Sequence, residues 1–552
     1  MKLTLKEYFY SHSKAIIFLV VALSFLVKMN MLFSYINYGP DNIVQAITAQ
    51  SMMKGHGLSL PEADVHDLSK TVYKPYGLFP PGFALTVAPL LKITHNDLTL
   101  SVRILLIIGF ALFYLVWLKI FYLLKDYIQH EFVIIGIFIF WGINYSPLNM
   151  GSVTDVFSLS LISAAVLYCL KIIIPRAISR KKQFLYAVLI GLFSFLAAFY
   201  RFAYYPLAFA VPFLFTFLAL FFKKEWRFPA LLSLVLVGIL FGSLIIFQKL
   251  SSGPINILEN NNAISTIHWE NLKNYDAVFL NSLLSDQIFY RTLAEDTLKV
   301  NSSMTLFKLL FPLSLFISIL FFLVSGQYIV KSKLLKNKLK YLIKNPVGVL
   351  TFMLVGVSLG AVVFFTIMSL RYPSFSIDPS YISSWVSLPR YFMIFFVSVQ
   401  VILFVLLFNK QVVINKLLKY CTLSVIILAC IITFAFRFYH EKKLQLYKPE
   451  EVAADYYKLS EHIKKSTAHI VVVKTIPDEY LYRYAMLNGA SIIEFDSIKK
   501  MPYTSKPVLI YTPVYVNDSS NEFYTFAKET GAKKIMNLES LKVDIFSKTT
   551  GI

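Results

Sequence analysis

Asp41 is the residue in this sequence whose type and position most directly suggest chemistry. It lies in the segment Tyr38-Gly39-Pro40-Asp41-Asn42, between the first long apolar run and an amphipathic stretch from Ile43 to Met53. A carboxylate held at a membrane surface can act as a base on a substrate whose other end is anchored in lipid. The same position is typical of a helix N-cap, because an Asp before a helix accepts hydrogen bonds from unpaired backbone N–H groups. The two roles are compatible.

A second carboxylate, Asp155, follows Ser152 by three positions where the chain enters its fourth apolar span. Ser and an acidic residue at this spacing resemble a capping box, which is a structural role. If Asp155 shares a membrane surface with Asp41, the two carboxylates could also flank a reacting hydroxyl or hold a divalent cation. A divalent cation is therefore a candidate cofactor, with Asp41 and Asp155 as its candidate metal ligands.

Three cations, Lys74, Arg201 and Arg390, lie near span ends on the same expected side as these carboxylates. Positive charge on the outer side runs against the usual topology, in which Lys and Arg gather on the cytoplasmic side. A lipid-linked phosphate is a fitting partner, since Arg offers a planar fork that matches phosphate oxygens. Tyr391, next to Arg390, completes the candidate substrate-binding set. The alternative is that these cations reach to lipid headgroups without a specific partner.

The composition places these residues in a membrane protein. Of 552 residues, 57% are hydrophobic and only 15% are charged, and the mean hydropathy is +0.63. The apolar residues form runs of about 20, the length that a helix needs to cross about 30 Å of hydrocarbon. The sequence predicts a polytopic α-helical membrane protein of about eleven spans. The predicted spans are residues 15–34, 98–118, 132–148, 155–174, 184–200, 203–222, 229–248, 305–328, 347–369, 389–408 and 419–437.

The distribution of Lys and Arg predicts the orientation of these spans. With a cytoplasmic N-terminus, nearly every dense cationic connection falls on the cytoplasmic side, namely residues 119–125, 175–182, 223–227, 331–344 and 410–419. The connections 35–97, 249–304 and 370–388, and the chain after residue 438, are then outside. The net charge of +22 is explained by this topology and by anionic lipid headgroups. We therefore expect membrane lipids, and not nucleic acid, as partners.

From about Tyr447 the long apolar runs end, and the sequence pattern changes. Short β-type runs at 469–474, 491–495 and 507–512 lie among helix-like stretches at 449–465, 478–487 and 520–529. This alternation predicts a small α/β domain outside the membrane. We divide the chain into a transmembrane domain, residues 1–440, and an extracytoplasmic α/β domain, residues 441–552. The second domain has no G-x-G-x-x-G motif, so docking or acceptor recognition is a better hypothesis for it than nucleotide binding.

Missing motifs exclude several classes of membrane protein. The sequence has no G-x-x-x-x-G-K-[ST] phosphate loop, which argues against transport powered by ATP hydrolysis. It has no H-E-x-x-H motif, which argues against an intramembrane zinc protease of that type. Cys169, Cys421 and Cys430 all fall inside predicted spans, so we expect no disulfide framework and no cysteine metal cluster.

The order of these features resembles the integral-membrane glycosyltransferases that use polyprenyl-phosphate sugars, the GT-C fold, and in particular the protein mannosyltransferase and aminoarabinose transferase type. The resemblance covers roughly residues 1–440 and implies that Asp41 is the catalytic base and Asp155 the second-loop acidic residue. This chain has Asn42 where the family often has an acidic residue, which weakens the case for a metal at this position. The matching pieces are Gly39-Pro40-Asp41-Asn42, Phe79-Pro80-Pro81-Gly82-Phe83-Ala84-Leu85, Ser152 to Asp155, the Arg201 segment and Arg390-Tyr391.

The residues and the resemblance together predict an enzyme that moves a sugar from a polyprenyl-phosphate carrier to an acceptor on the outer face of a bacterial-type membrane. The donor carries a good leaving group, so a base for the acceptor hydroxyl and cations for the phosphate are sufficient. Direct attack would invert the anomeric carbon. The sugar, a hexose or a pentose, and the acceptor, a glycan, a lipid or a protein, stay open.

Two other functional classes also stay open. A membrane transporter or lipid flippase would need charged residues deep within the spans and broken helices. A membrane scaffold that displays the C-terminal domain would not need the outer carboxylates and cations at all.

Overall fold

The computed structural model describes residues 5–34, 40–76, 79–143, 153–174, 178–201, 204–252, 269, 302–332, 345–371, 393–443, 455, 458–459, 461–462, 469–473, 491–494, 508–515, 522–539 and 543–550. Among these residues, helices dominate up to residue 443 and strands dominate after it. The helices in the first part are α1 Leu5–Ser34, α2 Pro40–Met53, α3 Gly82–Ile93, α4 Leu98–Leu123, α5 His130–Ile143, α6 Val153–Ile173, α7 Arg180–Tyr200, α8 Tyr205–Phe222, α9 Arg227–Ser252, α10 Ser302–Lys331, α11 Pro346–Arg371, α12 Met393–Leu407 and α13 Lys416–Lys443.

The helical membrane architecture predicted from the sequence is confirmed. Each of the eleven predicted spans overlaps one of the helices α1 and α4 to α13. Within the described residues, seven helices are long and apolar enough to cross a membrane, and they belong to α1, α4, α6, α7, α8, α9 and α11. The helices α3, α5 and α12, and the described end of α10, form shorter apolar helices. The count of eleven spans therefore stays a prediction.

The outer surface of the helix bundle is apolar. Phe18 of α1, Ile239 of α9 and Val363 of α11 are 75%, 62% and 56% exposed. By contrast, α6 is surrounded by other helices, and most of its side chains are buried. Exposed apolar side chains are unfavourable in water but are at no disadvantage against lipid chains. The bundle is thus built with α6 at its centre and with a surface that suits a bilayer.

The cationic connections come together at one end of the bundle. Residue Ile128, after α4, forms an isolated bridge with Asn409, after α12, and Lys410 Nζ donates to the Lys125 carbonyl oxygen at 2.7 Å. Lys331 Nζ donates to the carbonyl oxygen of Val413 at 2.8 Å. We call this the cationic end.

The helices α6, α7, α8 and α9 share the cationic end. Lys171, in the last turn of α6, lies close enough to Lys119 of α4 for their charges to interact. The rings of Tyr168 and Tyr186 contact each other with centroids 5.3 Å apart, which places the start of α7 beside the end of α6. The turn between α8 and α9 lies beside the start of α7. The grouping of cations that the charge pattern predicted is therefore present, and the side of the membrane it faces stays a prediction.

The first long connection, residues 35–97, is largely structured. It contains α2, a hairpin of strands β1 Ser59–Ala63 and β2 Thr71–Pro75, and α3. Helix α2 packs against α3, and Gln50 Nε2, near the end of α2, donates to Asn96 Oδ1, just after α3, at 2.9 Å. Because the contact joins the carboxyl ends of both helices, we infer that they run in the same direction. Their first turns then lie at the same end, opposite that contact.

A seven-stranded sheet joins this hairpin to the C-terminal part of the chain. Its remaining strands are β3 His469–Val473, β4 Ser491–Glu494, β5 Val508–Tyr515, β6 Lys533–Leu538 and β7 Val543–Thr550, and α14 Glu522–Glu529 lies between β5 and β6. The strand order is β2-β1-β4-β3-β5-β7-β6. Strands β1, β4, β3 and β5 are parallel neighbours, whereas β2, β7 and β6 pair antiparallel.

The predicted α/β texture of the C-terminal part is confirmed, with three additions. Strands β3, β4 and β5 fall on the three predicted β-type runs, and α14 falls on the stretch 520–529. The stretch 478–487 lies outside the described residues. The added features are β6, β7 and the pairing of β1 with β4, where Glu62 faces Ile492 and Thr71 Oγ1 lies 2.8 Å from Ser491 Oγ. The sheet thus has members on both sides of the boundary predicted at residues 440/441, and the division into two folding units stays a prediction.

A chain that ends at Lys443 should test how far this shared sheet matters. We expect its membrane helices to fold, because they bury their apolar faces against one another. The β1–β2 hairpin should lose protection, since a lone two-stranded hairpin is marginally stable in water. Hydrogen exchange should rise in residues 59–75 and stay unchanged in residues 98–123. Unchanged exchange in the hairpin would show that the contact with β4 does not stabilise it.

Candidate functional site

A buried ion pair lies at the end of the bundle opposite the cationic end. Arg201 Nη1 contacts Asp155 Oδ2 at 2.6 Å and Thr154 Oγ1 at 3.2 Å. The side chain of Asp155 is 0% exposed and that of Arg201 is 6% exposed. Two of the candidate residues from the sequence are therefore brought together directly, and Thr154 joins them.

Three helix ends position this pair. Thr154 and Asp155 lie in the first turn of α6. Arg201 follows α7 as its C-cap in an extended conformation, with φ −154° and ψ 128°, and its backbone N–H donates to Ala198. Tyr204, which precedes α8, donates its backbone N–H to the Arg201 carbonyl oxygen at 3.0 Å. The side chain of Arg201 reaches α6, and the buried Tyr204 lies close enough to Asp155 and Arg201 for their charges to act on it.

The Phe79–Leu85 motif packs against the same helix end. Pro81 is the N-cap of α3, and Gly82 is its first residue. A Cβ atom at Gly82 would collide with the carbonyl oxygen of Phe199, so the backbone of α3 touches the backbone of α7 two residues before Arg201. This close approach needs glycine, because a backbone cannot yield as a flexible side chain can. The motif thus fixes the start of α3 beside the ion pair.

The contacts between α6 and α7 continue below the pair. The rings of Phe157 and Tyr200 stack with centroids 4.9 Å apart and planes 8° apart, and Ser158 Oγ donates to the Ala197 carbonyl oxygen at 2.8 Å. Gly109 of α4 also packs closely against Val156 and Phe157 of α6. The two residues of the ion pair are therefore held by helices that have little freedom to separate.

The candidate base Asp41 lies in the first turn of α2, and the structure describes its backbone but not its side chain. Because α2 and α3 run in the same direction and α3 begins beside Phe199, the start of α2 lies towards the end of the bundle that holds the ion pair. A shared surface of Asp41 and Asp155 stays a prediction. Ser152, Arg390 and Tyr391 lie outside the described residues.

Lys74 belongs to a different part of the molecule. It lies on β2 of the hairpin, its ammonium pairs with the Glu62 carboxylate on β1, and its side chain is 61% exposed. An exposed pair of this kind contributes little to stability. The structure gives Lys74 a hairpin partner, and the described contacts do not join it to Asp155 or Arg201.

A metal site is not formed by the residues that the structure describes. Among them, no group of three or more His, Cys, Asp or Glu side chains could hold a metal ion. The carboxylate of Asp155 is paired with Arg201. The guanidinium already compensates the negative charge that a bound metal ion would otherwise compensate. The three cysteines lie in described helices and form no disulfide there, and Cys169 is buried in α6.

The arrangement suits the binding of an anion better than proton transfer by Asp155. A carboxylate without solvent contact cannot meet an acceptor hydroxyl, whereas it can fix the orientation of a guanidinium. Sequence reasoning missed Thr154, Tyr204 and Glu62. A signal for Glu62 existed, since Thr71–Pro75 carries β-type residues opposite an acidic segment, but no spacing in the sequence identified Tyr204.

Several solved structures are similar to this chain. ArnT from Cupriavidus metallidurans bound to undecaprenyl phosphate has a TM-score of 0.47 at 11% identity, with 97% of this chain and 98% of that chain covered. The apo state of the same ArnT has a TM-score of 0.45, with the same identity and coverage. The archaeal oligosaccharyltransferase AglB from Archaeoglobus fulgidus, in complex with an inhibitory peptide and a dolichol-phosphate, has a TM-score of 0.42 at 11% identity, with 90% of this chain and 70% of that chain covered. No protein-family model and no curated protein matches this chain.

A double-mutant cycle should measure the coupling between Asp155 and Arg201. We expect Asp155→Leu and Arg201→Met each to lower the free energy of unfolding by about 3–5 kcal/mol, because each leaves an uncompensated buried charge. The double variant should lose much less than the sum, since it leaves no buried charge. Unfolding in detergent, followed for all four proteins, gives the coupling. Additive losses would show that the contact is not an energetic unit.

Proposed function

We propose that this chain is a glycosyltransferase that moves a sugar from a polyprenyl-phosphate carrier to an acceptor at the end of the bundle where Asp155 and Arg201 lie. The observation that carries the proposal is the Arg201 guanidinium, which is fixed by Asp155 at 2.6 Å and is 6% exposed. A preoriented cation in a site that excludes water stabilises a departing phosphate more than a mobile one would. The motifs of the first and second loops, which resemble those of the polyprenyl-phosphate glycosyltransferases, support the same chemistry.

In the proposed reaction, Asp41 accepts the proton of the acceptor hydroxyl while the oxygen attacks the anomeric carbon. The bond from that carbon to the phosphate oxygen breaks, and the phosphate leaves with the electron pair. Arg201 stabilises the charge that develops on the phosphate, and Arg390, Tyr391 and Lys74 are further candidate contacts for the donor. A single displacement inverts the anomeric carbon.

Asp155 has a positioning role in this proposal. It is fully buried against Arg201, so it orients the guanidinium and balances its charge when the donor is absent. The role as a metal ligand that the sequence suggested for Asp155 is thereby less favoured, and a divalent cation stays an untested cofactor.

We further propose that the reaction takes place on the outer face of a bacterial-type plasma membrane, with a cytoplasmic N-terminus and an external C-terminal domain. The support is the gathering of cationic connections at the end opposite the ion pair, since Lys and Arg prefer the cytoplasmic side. The joint sheet places the C-terminal part next to the first connection, which suits a role in recognising the acceptor.

The substitution Asp41→Asn tests the catalytic assignment. Helix α2 begins at Pro40, so Asp41 is its second residue and not the N-cap that the sequence suggested. Asn has nearly the size of Asp and can still accept hydrogen bonds in this first turn, but it cannot take a proton from an attacking hydroxyl. We expect thermal stability near wild type and sugar transfer slower by roughly 10² to 10⁴-fold, the usual range for a general base. Transfer should be measured in detergent with a purified lipid-linked donor.

In detergent there are no two membrane-separated compartments, so transport cannot be observed. The same assay therefore distinguishes a glycosyltransferase from a transporter or lipid flippase. A transporter or lipid flippase would show no sugar transfer there, even as wild type. Asp155→Asn is the matched comparison, because it should lose stability as well as activity. Wild-type transfer by Asp41→Asn would exclude Asp41 as the base.

The donor should be identifiable from cells that lack the protein. Without the enzyme that consumes it, a polyprenyl-phosphate sugar should accumulate in the lipid extract, where mass spectrometry gives its mass and sugar. Complementation with the wild-type chain should remove the accumulated lipid, and complementation with Asp41→Asn should not. An unchanged lipid profile in the deletion strain would contradict a lipid-linked donor.

A further inference from the structure

A cleft of about 1050 Å³ lies at the cationic end of the bundle, far from the ion pair. The end of α6, the start of α7 and the turn between α8 and α9 form its walls. Helix α7 connects the two regions, because it begins at the cleft with Arg180 and ends next to Arg201. Its 21 residues correspond to about 32 Å, so the cleft is not part of the candidate catalytic site.

The charge of the cleft is strongly positive. Arg180, Lys181, Lys223 and Lys224 line it, and Glu225 is the acidic residue among the lining residues. All five side chains are exposed and can move towards a ligand. Cations from two separate connections that face one space favour an anion with more than one negative or strongly accepting oxygen, such as a phosphate.

Trp226 gives this cluster a defined geometry. The residue is 3% exposed and lies in a short 3-10 turn, Lys224–Trp226, between α8 and α9. Lys223 Nζ lies 4.7 Å from the centroid of its ring. Arg227, the next residue, donates from Nη2 to the Leu220 carbonyl oxygen at 3.1 Å. The turn that carries Lys223 and Lys224 is therefore anchored on both sides.

Two helix amino ends also point towards the cleft. Helices α7 and α9 both begin there and run in the same direction, since Gly191 of α7 packs closely against Ser233 and Leu236 of α9. Helix amino ends carry a partial positive charge from their unpaired N–H groups, which favours anions. Their contribution adds to that of the four cationic side chains.

Apolar rings on one side of the cleft indicate that the anion is part of a lipid. Phe184 of α7 and Phe228 of α9 line the cleft and are 52% and 67% exposed. Both lie within the first two turns of helices that are long and apolar enough to span the membrane. A free phosphate would make no favourable contact with these apolar rings, whereas the acyl chains of a phospholipid would pack against them.

We propose that this cleft binds an anionic phospholipid from the leaflet at the cationic end, with the headgroup phosphate at Arg180, Lys181, Lys223 and Lys224 and the acyl chains against Phe184 and Phe228. The lipid is a bound structural partner that holds the starts of α7 and α9 together. This site is independent of the proposed sugar transfer.

Native mass spectrometry of the full-length protein in detergent should detect this lipid. The probes are phosphatidylglycerol and phosphatidylcholine with identical acyl chains, with inorganic phosphate as a competitor. Wild type should retain phosphatidylglycerol in preference to phosphatidylcholine. The variant Lys181→Gln/Lys224→Gln should bind phosphatidylglycerol roughly 30-fold more weakly, since each cation near a lipid surface contributes about a factor of five.

The matched control is Lys182→Gln/Lys416→Gln, which removes two exposed cations from the same end without touching the cleft lining. It should bind phosphatidylglycerol as wild type does. Equal weakening in both variants, or equal retention of the two lipids by wild type, would overturn the proposal.

The variant Phe184→Ala/Phe228→Ala separates a lipid from a free anion. It keeps all four cations, and we expect it to bind phosphatidylglycerol more weakly while its affinity for inorganic phosphate is unchanged. Unchanged lipid binding in this variant, together with displacement of the lipid by inorganic phosphate in wild type, would identify a simple anion site and reject the phospholipid.

Discussion

The ion pair between Asp155 and Arg201 is the constraint on which this end of the molecule depends. Each charge has almost no contact with solvent, so neither could stay in place alone without a large desolvation penalty. The pair therefore requires the first turn of α6 to meet the residue after α7. The turn into α8 follows from that meeting, because Tyr204 donates its backbone N–H to Arg201. The start of α3 is fixed next, through the contact of Gly82 with Phe199.

The sequence predicted the helices well, but it predicted poorly which helix ends contact each other. A span is a local property, since about 20 apolar residues form a helix in lipid whatever their neighbours are. Which span ends meet is a long-range property. Asp155 and Arg201 are 46 positions apart, and the sequence suggested a separate role for each, a carboxylate of the reaction or metal site and a phosphate ligand. Local spacing suggested a capping box of Ser152 with Asp155, which stays a prediction because Ser152 lies outside the described residues, and it gave no sign of the contact with Arg201.

The sheet shows the same limit. Strands β3 and β5 could be predicted because runs such as Ile470–Val473 are β-branched and apolar. Strand β7 has Asp544 between buried Val543 and Ile545 and carries Lys548 further on, and its conformation is fixed by pairing with β5 and β6. Strand β1 is still more dependent on context, since its place beside β4 joins two segments that are more than 400 positions apart. No local sequence pattern could have predicted the pairing of β1 with β4.

The length of α7 links the two ends of the bundle. A helix of 21 residues is about 32 Å long, close to the roughly 30 Å of hydrocarbon in a bilayer. Cations at its start favour the headgroup level of one leaflet, so the residue that follows its last turn must reach the headgroup level of the other. Arg201 occupies that place, which is the depth of lipid phosphates in the second leaflet. The cations at the start of α7 thus set the depth of the Arg201 guanidinium at the opposite membrane surface. The buried carboxylate of Asp155 keeps that guanidinium from turning outward to the bulk headgroups.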